Sequence, residues 1–390
     1  MTYKRVTAEI NLADLAHNVG AVRRRIPEAT RLMAVVKADG YGHGAARAAE
    51  VFLQGGADAL GVAICEEGIA LRGVNMDAPI LILGFTPDPQ LDDAVRHGLT
   101  QTVFSVHGAQ ALASAAVRRN TRAQAHIKVD TGMSRLGFMP DGASVEAIAG
   151  IAGMPGLDVT GIYTHFATSD AMDAGFMPEQ YARFLWMLER LAQRGVNIPV
   201  RHVSNSGAFA QTLPTRRKYW NSLSYLPSCF FMDMVRIGIL CYGLLPSVEM
   251  ADACCGLMLR PAMRLVTQIS QVKTLAAGVG VSYGHLYRTN RETVIATLPV
   301  GYADGYPRLL SNKADVLIRG KRARLVGAIC MDQCMADITD IEGAAPGDEV
   351  VMIGKQGEAT VSADELASLI GTIGYEIVCG VGKRVPREYI

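Results

Sequence analysis

The sequence lacks the features that mark a membrane-spanning, secreted or zinc-binding protein. Its apolar runs, such as residues 80–83, are far shorter than the roughly 20 residues that cross a bilayer. The N-terminal residues 1–10 carry basic side chains, but no apolar stretch of the kind found in signal peptides follows them. Eight cysteines in 390 residues form no paired CxxC pattern. We therefore expect reduced thiols, a cytoplasmic location, no membrane association and no metal site.

The chain also lacks a strong charge of either sign. Its 38 Lys and Arg residues balance 37 Asp and Glu residues, which leaves a formal net charge of +1. A nucleic-acid partner is therefore not expected, because such binding needs a basic surface. Hydrophobic residues make up 49% of the chain and charged residues 19%, which predicts a large buried core. The length allows two domains.

Short apolar segments alternate with amphipathic helical patterns over the first two-thirds of the chain. Eight strands are predicted, centred near Val35, Leu60, Ile80, Thr102, His126, Ile162, Val203 and Val235. Helices are predicted between them at 44–53, 65–72, 91–97, 109–119 and 179–194. Eight strands alternating with helices favour a closed parallel (β/α)₈ TIM-like barrel. An open doubly wound sheet is the alternative that the pattern leaves open.

The pattern changes after about Ser247, where glycine-rich turns separate strand-like segments. Strands are predicted at 264–275, 293–299, 314–318, 324–330 and 349–353, and one helix at 362–370. We therefore predict a barrel over residues 9–250 and a mostly-β C-terminal domain over residues 251–390. Residues 1–8 are expected to associate with this second domain. Residues 211–231 are predicted to form a long loop before the last barrel strand.

The strongest local signal is Lys37, which ends an apolar strand and precedes a glycine-rich turn. In a barrel, the C-terminal ends of the strands form the active site. A half-buried lysine there has a lowered pKa and a nucleophilic amine, as Schiff-base chemistry with a carbonyl cofactor requires. From these residues alone, a surface lysine in a loop is the alternative. Glycines 40, 42 and 44 do not have the spacing of a dinucleotide-binding motif.

Residues 36–44, Val-Lys-Ala-Asp-Gly-Tyr-Gly-His-Gly, resemble the pyridoxal-phosphate motif of the alanine racemase family. The resemblance covers essentially the whole chain. It continues in the order 128–137, 164–166, 205–206, 235–239, 281–284, 301–305, 330–333 and 375–376. Ser134 departs from the pattern, because many members of the family have glycine there. We expect this small change to be tolerated.

The resemblance implies that the chain binds pyridoxal 5'-phosphate. Lys37 would carry the cofactor as a Schiff base and act as the base on one face of the substrate α-carbon. Arg236 would donate a hydrogen bond to the ring nitrogen, since an arginine cannot accept one. The other residues implied in cofactor binding are Tyr41, His165, Asn205, Ser206, Gly238, Ile239 and Tyr375; Tyr41, Ser206 and the backbone of Gly238 and Ile239 would hold the phosphate.

The resemblance also implies a second base and a homodimer with shared active sites. Tyr283 would act on the opposite face of the α-carbon and would come from the other subunit, and His165 would supply part of a cationic field near it. Arg135 would bind the substrate carboxylate, and Lys128 matches a lysine that is carbamylated in many members. The remaining substrate-binding residues, Tyr302, Met331 and Asp332, would also come from the other subunit.

The implied activity is the interconversion of L-alanine and D-alanine, which supplies D-alanine for cell-wall peptidoglycan. A serine or broad-specificity racemase is the alternative with the same machinery. Bulky Tyr302 and Tyr375 favour the small methyl side chain of alanine. A non-catalytic pyridoxal-phosphate carrier is disfavoured because such proteins lack a β domain. A decarboxylase is disfavoured because its reaction profits from a protonated ring nitrogen, which Arg236 does not provide.

Overall fold

A computed structural model describes residues 5–171, 175–213 and 229–390. Its strands are β1 (Val6–Ile10), β2 (Arg31–Val35), β3 (Ala59–Val62), β4 (Ile80–Ile82), β5 (Thr100–Val103), β6 (Ala123–Lys128), β7 (Leu157–Tyr163), β8 (Val200–His202), β9 (Met234–Ile237), β10 (Met263–Gln268), β11 (Gln271–Leu275), β12 (Gly280–Val281), β13 (Tyr287–Arg288), β14 (Thr293–Leu298), β15 (Asp315–Ile318), β16 (Lys321–Arg324), β17 (Cys334–Asp337), β18 (Glu349–Gln356), β19 (Ala359–Val361) and β20 (Arg387–Tyr389). The predicted loop at 211–231 lies mostly outside the described residues.

The α-helices fall between the barrel strands and near the end of the chain. They are Leu12–Arg23, Ala45–Gln54, Cys65–Arg72, Leu91–Arg96, Val106–Arg118, Gly142–Ala152, Met177–Gln193, Ser206–Gln211, Ala251–Cys254, Ala363–Ile370 and Gly374–Gly380. A further one-turn segment, Lys37–Tyr41, has left-handed backbone angles inside it. No helix within the described ranges is long and apolar enough to cross a membrane.

Strands β2 to β9 form one parallel sheet in the order β8-β7-β6-β5-β4-β3-β2-β9. Two backbone hydrogen bonds join its ends, from Asp233 N to Arg201 O at 3.1 Å and from Arg236 N to Ser204 O at 3.0 Å. The sheet is therefore a nearly closed barrel surrounded by helices, and the alternative of an open doubly wound sheet is wrong. Buried apolar side chains from strands and helices fill the space between the two layers.

The C-terminal region forms a mostly-β domain, as predicted. Its main sheet has the order β16-β15-β18-β10-β1-β20, with β19 paired to β18. Strand β1 runs antiparallel to β10 and parallel to β20, so both ends of the described chain join one sheet. A three-stranded sheet, β11-β14-β17, and the hairpin β12-β13 complete the domain.

Several details of the C-terminal domain differ from the prediction. The strand predicted at 264–275 is two strands, β10 and β11, which belong to different sheets. Residues 324–330 do not form a strand: β16 ends at Arg324, and Leu325 makes only an isolated bridge to Ala336. The segment is apolar and buried, but Gly327 has a φ of 78° that breaks the extended backbone. A second helix, Gly374–Gly380, follows the predicted one; its glycine-bounded seven residues gave no helical signal.

Candidate active site

Lys37 lies at the C-terminal end of β2, where the backbone turns in the left-handed sense. Ala38, Asp39, Gly40 and Tyr41 have φ values of 53°, 52°, 62° and 50°. The Glu67 carboxylate accepts hydrogen bonds from the backbone N–H of Ala38 at 2.6 Å and of Ala63 at 2.7 Å. These bonds compensate part of the strain of the turn.

The Lys37 side chain is half-buried, and its environment disfavours the charged form. Burial lowers the pKa of Lys37, and the positive charge of Arg135 lowers it further. Lys37 Nζ lies 6.0 Å from the centre of the Tyr41 ring. The site therefore holds an amine that is readier to lose its proton than a free lysine.

A cavity of about 240 Å³ at this end of the barrel is lined by all nine residues implied in cofactor binding. They are Lys37, Tyr41, His165, Asn205, Ser206, Arg236, Gly238, Ile239 and Tyr375. They come from the ends of β2, β7, β8 and β9, and from the helix Gly374–Gly380. Met133 also lines the cavity, whereas Arg135 and Lys128 do not.

One part of the cavity wall is built to approach a bound group closely. Ser206 Oγ accepts a hydrogen bond from Gly238 N at 3.0 Å. A Cβ atom at position 238 would lie 2.5 Å from the Tyr41 hydroxyl, so only glycine leaves this space open. Burial raises the pKa of Tyr41 well above its ordinary value, which keeps its hydroxyl protonated. Two hydroxyls around a glycine backbone fit a phosphate group.

Arg236 also lines the cavity and is 3% exposed. Its Nη2 donates to Thr164 O at 2.8 Å and Val203 O at 3.0 Å, and its Nη1 donates to His202 Nδ1 at 2.8 Å. Within the described ranges, no carboxylate makes an ion pair with this guanidinium. Burial lowers the pKa of Arg236 to about 10, and the group remains a cation that can only donate hydrogen bonds. These properties fit a cofactor ring whose nitrogen is unprotonated.

His165 lies 3.3 Å from Arg236 Nη2 through its Nδ1 atom. Burial lowers the pKa of His165 well below its ordinary value, and the charge of Arg236 adds to this effect. Both effects disfavour the positively charged form of His165, on which the expected cationic field depends. The cations that act on this region are Arg236, Lys128, Arg135 and Lys37.

The loop that carries Arg135 is folded around Asp130. Asp130 accepts four backbone hydrogen bonds at 2.9–3.0 Å, from Gly132, Met133, Ser134 and Arg135. Burial alone would raise the pKa of Asp130, but these N–H groups hold it below its ordinary value. Ser134 has a φ of 57°, which explains in physical terms why a glycine is favoured at this position.

Lys128 is 6% exposed at the end of β6, and its Nζ donates to Val129 O at 2.8 Å. Burial lowers the pKa of Lys128 to about 7, and Arg236 contributes to the shift. A substantial fraction of this amine is therefore neutral near pH 7. Neutral amines are the form that reacts with carbon dioxide.

The four residues expected from the other subunit lie on the β domain, and none of them lines the cavity of their own chain. Tyr283, Tyr302 and Met331 are 72%, 41% and 54% exposed, and Asp332 is also exposed. Backbone hydrogen bonds from Tyr302 N to Cys330 O and from Ala303 N to Met331 O, both 3.0 Å, hold two of their loops together.

Several residues of the site were missed by the sequence reasoning. Glu67 and His202 hold Lys37 and Arg236 in place, and Asp130 shapes the Arg135 loop. Arg384 donates to Asp332 at 2.6 Å and to buried Asp304 at 2.7 Å. Asp130 lies inside the segment 128–137, which resembles the family motif, and could have been found there. The others depend on contacts between distant parts of the chain and left no local signal.

Comparisons with known proteins agree with the resemblance over the whole chain. Family models described as "Alanine racemase, N-terminal domain" and "Alanine racemase, C-terminal domain" match residues 10–246 and 262–389. A protein named alanine racemase from Desulforamulus reducens is 44% identical over 385 residues, covering 99% of each chain. One from Desulfovibrio desulfuricans is 44% identical, covering 99% of this chain and 98% of that one.

Solved structures give the same result. A structure titled alanine racemase from Clostridium difficile 630 has a TM-score of 0.91 and 37% identity, covering 100% of this chain and 97% of that chain. The alanine racemase structure from Streptomyces lavendulae has a TM-score of 0.91 and 36% identity, covering 100% and 98%.

Proposed function

The chain belongs to the alanine racemase family, and from this we propose that it interconverts L-alanine and D-alanine with pyridoxal 5'-phosphate. The observation that carries the proposal is the single cavity that combines Lys37, Arg236 and the Tyr41–Ser206–Gly238 wall. When bound, this cofactor withdraws electrons from the α-carbon of an attached amino acid and makes its hydrogen acidic. The chain's own residues then have to bind and orient the amino acid and to move that proton.

We assign the binding of the cofactor to the residues that line the cavity. Lys37 would hold it covalently, and Tyr41, Ser206 and the backbone of Gly238 and Ile239 would hold its phosphate. Arg236 would face the ring nitrogen, and His165, Asn205 and Tyr375 would form the remaining walls. The lowered pKa of Lys37 supports its role as a base, because a neutral amine can accept the α-proton on one face.

Tyr283 is our candidate for the second base, and it requires a homodimer. It is 72% exposed and does not line the Lys37 cavity of its own chain, so it is free to enter the cavity of another. Exposed apolar side chains also follow three barrel strands, at Ile64, Phe85 and Met139. Such side chains at the barrel mouth support a surface that a partner covers.

The substrate would be held by Arg135 together with Tyr302, Met331 and Asp332 of the partner subunit. The near-neutral pKa of Lys128 supports its carbamylation, which would place an anion near Arg135. Tyr375, together with Tyr302 of the other subunit, would restrict the room for a side chain to little more than a methyl group. We further propose a cytoplasmic enzyme that supplies D-alanine for peptidoglycan, and we place the division between the domains at residues 250 and 251.

The test is cofactor attachment combined with proton exchange. The purified chain with pyridoxal 5'-phosphate should absorb visible light and release α-deuterium from labelled L-alanine and D-alanine. Borohydride reduction should fix the cofactor on the peptide that contains Lys37, and Lys37→Ala should lose both the absorption and the exchange. Lys273→Ala, on the β domain, is the control. Fixation on another lysine, or exchange that survives in Lys37→Ala, would refute the assignment.

A further inference from the structure

A second cavity, of about 390 Å³, lies at the N-terminal ends of the barrel strands, opposite the candidate active site. Residues at or near the starts of seven of the eight barrel strands line it, among them Arg31 of β2, Thr100 of β5 and Met234 of β9. None of its lining residues has a role in the function proposed above. Its polar groups still show a pattern that points to a ligand.

Three side chains of this wall can donate a hydrogen bond to a bound group. Thr160 Oγ1 is buried and has no hydrogen-bond partner within the described ranges. His126 is 7% exposed and bonds only through Nδ1 in the same part of the chain, which leaves Nε2 for the cavity. Arg31 adds a positive charge. Asp58, the carboxylate in this wall, accepts a hydrogen bond from Leu32 N through Oδ2 at 2.7 Å, and the same oxygen lies 4.0 Å from Arg23 Nη1.

His126 connects this cavity to the active site through two hydrogen bonds. His126 Nδ1 lies 2.9 Å from His202 Nε2, and His202 Nδ1 lies 2.8 Å from Arg236 Nη1. Arg236 lines the active-site cavity, and His126 lines the opposite one. Three buried side chains on β6, β8 and β9 therefore cross the inside of the barrel.

The protons on the hydrogen-bonded series His126–His202–Arg236 have only one consistent arrangement. Arg236 can only donate, so His202 Nδ1 must accept. Burial lowers the pKa of His202 well below its ordinary value and that of His126 to about 3, so both rings are neutral. The proton of His202 is then on Nε2 and is donated to His126 Nδ1. The proton of His126 must be on Nε2, where it is a donor facing the cavity.

The packing around the three residues fixes this geometry. The His202 ring stacks on Tyr163 with ring centres 4.6 Å apart and an angle of 7° between planes, and the Arg236 guanidinium carbon lies 5.0 Å from the same ring. A Cβ atom at Gly161 would lie 2.5 Å from the His126 ring, so the glycine makes room for the imidazole. The hydrogen-bonded series His126–His202–Arg236 is thus held in one geometry, so a change in the hydrogen bonding of His126 alters the hydrogen bonding of Arg236.

We propose that this cavity binds a small monovalent anion through His126, Thr160 and Arg31, and that the His126–His202–Arg236 chain transmits its binding to the active site. An anion that accepts a hydrogen bond from His126 Nε2–H makes Nδ1 a stronger hydrogen-bond acceptor. His202 then becomes a stronger acceptor for Arg236, whose positive charge is drawn away from the cofactor ring. His126 and His202 act here as positioning residues. The transmission rests on the proposed function, whereas the binding does not.

The binding is tested with bromide, which its anomalous scattering locates in crystals of the whole chain. A bromide peak within hydrogen-bond distance of His126 Nε2 and Thr160 Oγ1 is expected, and it should be absent in His126→Phe and weaker in Thr160→Val. A cavity that holds water only overturns the proposal. A peak that persists in both variants shows an adventitious ion only and also overturns it. Crystals without the cofactor serve equally, so a failure of the proposed cofactor chemistry leaves this test intact.

The transmission is tested by titrating the enzyme, loaded with pyridoxal 5'-phosphate, with bromide at constant ionic strength maintained by a bulky sulfonate. The visible absorption band of the cofactor should change saturably in the unmodified chain. The apparent affinity should fall about tenfold in Thr160→Val, which loses one hydrogen bond to an ion, and the response should vanish in His126→Phe. Thr168→Val is the matched control, because it removes another buried hydroxyl that has no hydrogen-bond partner among the described residues and lines neither cavity. A response that survives in His126→Phe, or no response despite bound bromide, overturns the transmission.

Discussion

At the scale of single residues, the candidate site buries more positive than negative charge, because Asp130 is the buried carboxylate that acts on Lys128. Lys37, Lys128 and Arg236 are at least half-buried, and burial lowers the pKa of each. Such an arrangement costs folding free energy unless anions arrive to compensate it. A phosphate, a substrate carboxylate and a carbamate are such anions. The unfavourable charges of the isolated chain therefore have a function when the site is filled.

The two proposed bases should be separable by one substitution. Tyr283→Phe leaves every residue of the Lys37 cavity unchanged, so cofactor binding should survive. Loss of one general acid/base should slow the step that it serves by about 10²–10⁴-fold. Exchange of the α-hydrogen of D-alanine with solvent, through Lys37, should fall far less than exchange of L-alanine. Mass spectrometry of each enantiomer in deuterium oxide measures this.

The control for this variant is Tyr287→Phe, on the neighbouring strand β13, which should change neither exchange rate. Equal losses for both enantiomers in Tyr283→Phe, with an unchanged cofactor spectrum, would indicate a single base. Steady-state racemisation cannot make this distinction, because both directions must balance at equilibrium.

At the scale of elements, the left-handed turn after β2 is the least ordinary part of the fold. It aims Lys37 and Tyr41 into the same cavity, and helix Gly374–Gly380 packs against it. Gly42 is buried with a φ of 80°, and a Cβ atom there would overlap the Val378 carbonyl oxygen. The turn therefore ties the cofactor residues of the barrel to the C-terminal domain.

Gly42→Ala should destabilise the protein more than a glycine replacement that only strains the backbone. Gly98→Ala is the matched control, because Gly98 has a φ of 59° but no atom within 4 Å of its Cβ position. Both should pay about 1–2 kcal/mol for the left-handed backbone, and Gly42→Ala a further cost of about 1–3 kcal/mol for the overlap. Denaturant unfolding measures the difference, and equal losses would contradict the tight contact with Val378.

The elements that sequence could predict are those whose signal is local. Most of the eight barrel strands carry an apolar run bounded by helix or turn signals, and all eight are present. Residues 324–330 carry such a run too, yet a left-handed glycine breaks it. The left-handed turn was not predicted, because Ala38 and Asp39 do not by themselves favour that backbone. Glu67, distant in the sequence, binds the backbone N–H of Ala38, and Val378 leaves room only for glycine at position 42.

The site residues also divide into those with a local sequence signal and those that depend on contacts between distant parts of the chain. The nine residues implied in cofactor binding line one cavity, and they were identified through motifs that the chain shares with a family. His202, Glu67 and Arg384 support those residues from other strands and loops. Their positions follow from the closure of the barrel and from the packing of the two domains, which no short segment contains.

At the scale of the whole molecule, the chain has two surfaces with exposed apolar side chains. One is the barrel mouth with the Lys37 cavity and exposed Ile64, Phe85 and Met139. The other is the β-domain face with exposed Tyr283, Tyr302 and Met331. Arg384, bonded to Asp304 and Asp332, holds part of this second face in shape. Two faces that lie on different domains of one chain can meet pairwise in a two-fold dimer, which buries both.

This arrangement predicts that two defective chains restore each other. Lys37→Ala lacks the cofactor lysine but keeps Tyr283, and Tyr283→Phe keeps Lys37. In a dimer of one of each, one site combines Lys37 of the second chain with Tyr283 of the first and is intact, whereas the other site has lost both. Equal mixing with free exchange gives half heterodimers, so about a quarter of all sites should be active. Racemase activity should rise from near zero to about that fraction at a rate set by subunit exchange, which differently tagged chains report.

A mixture of Lys37→Ala with Lys37→Met is the control and should stay inactive. Verified heterodimers without recovered activity would mean that each site draws both bases from a single chain.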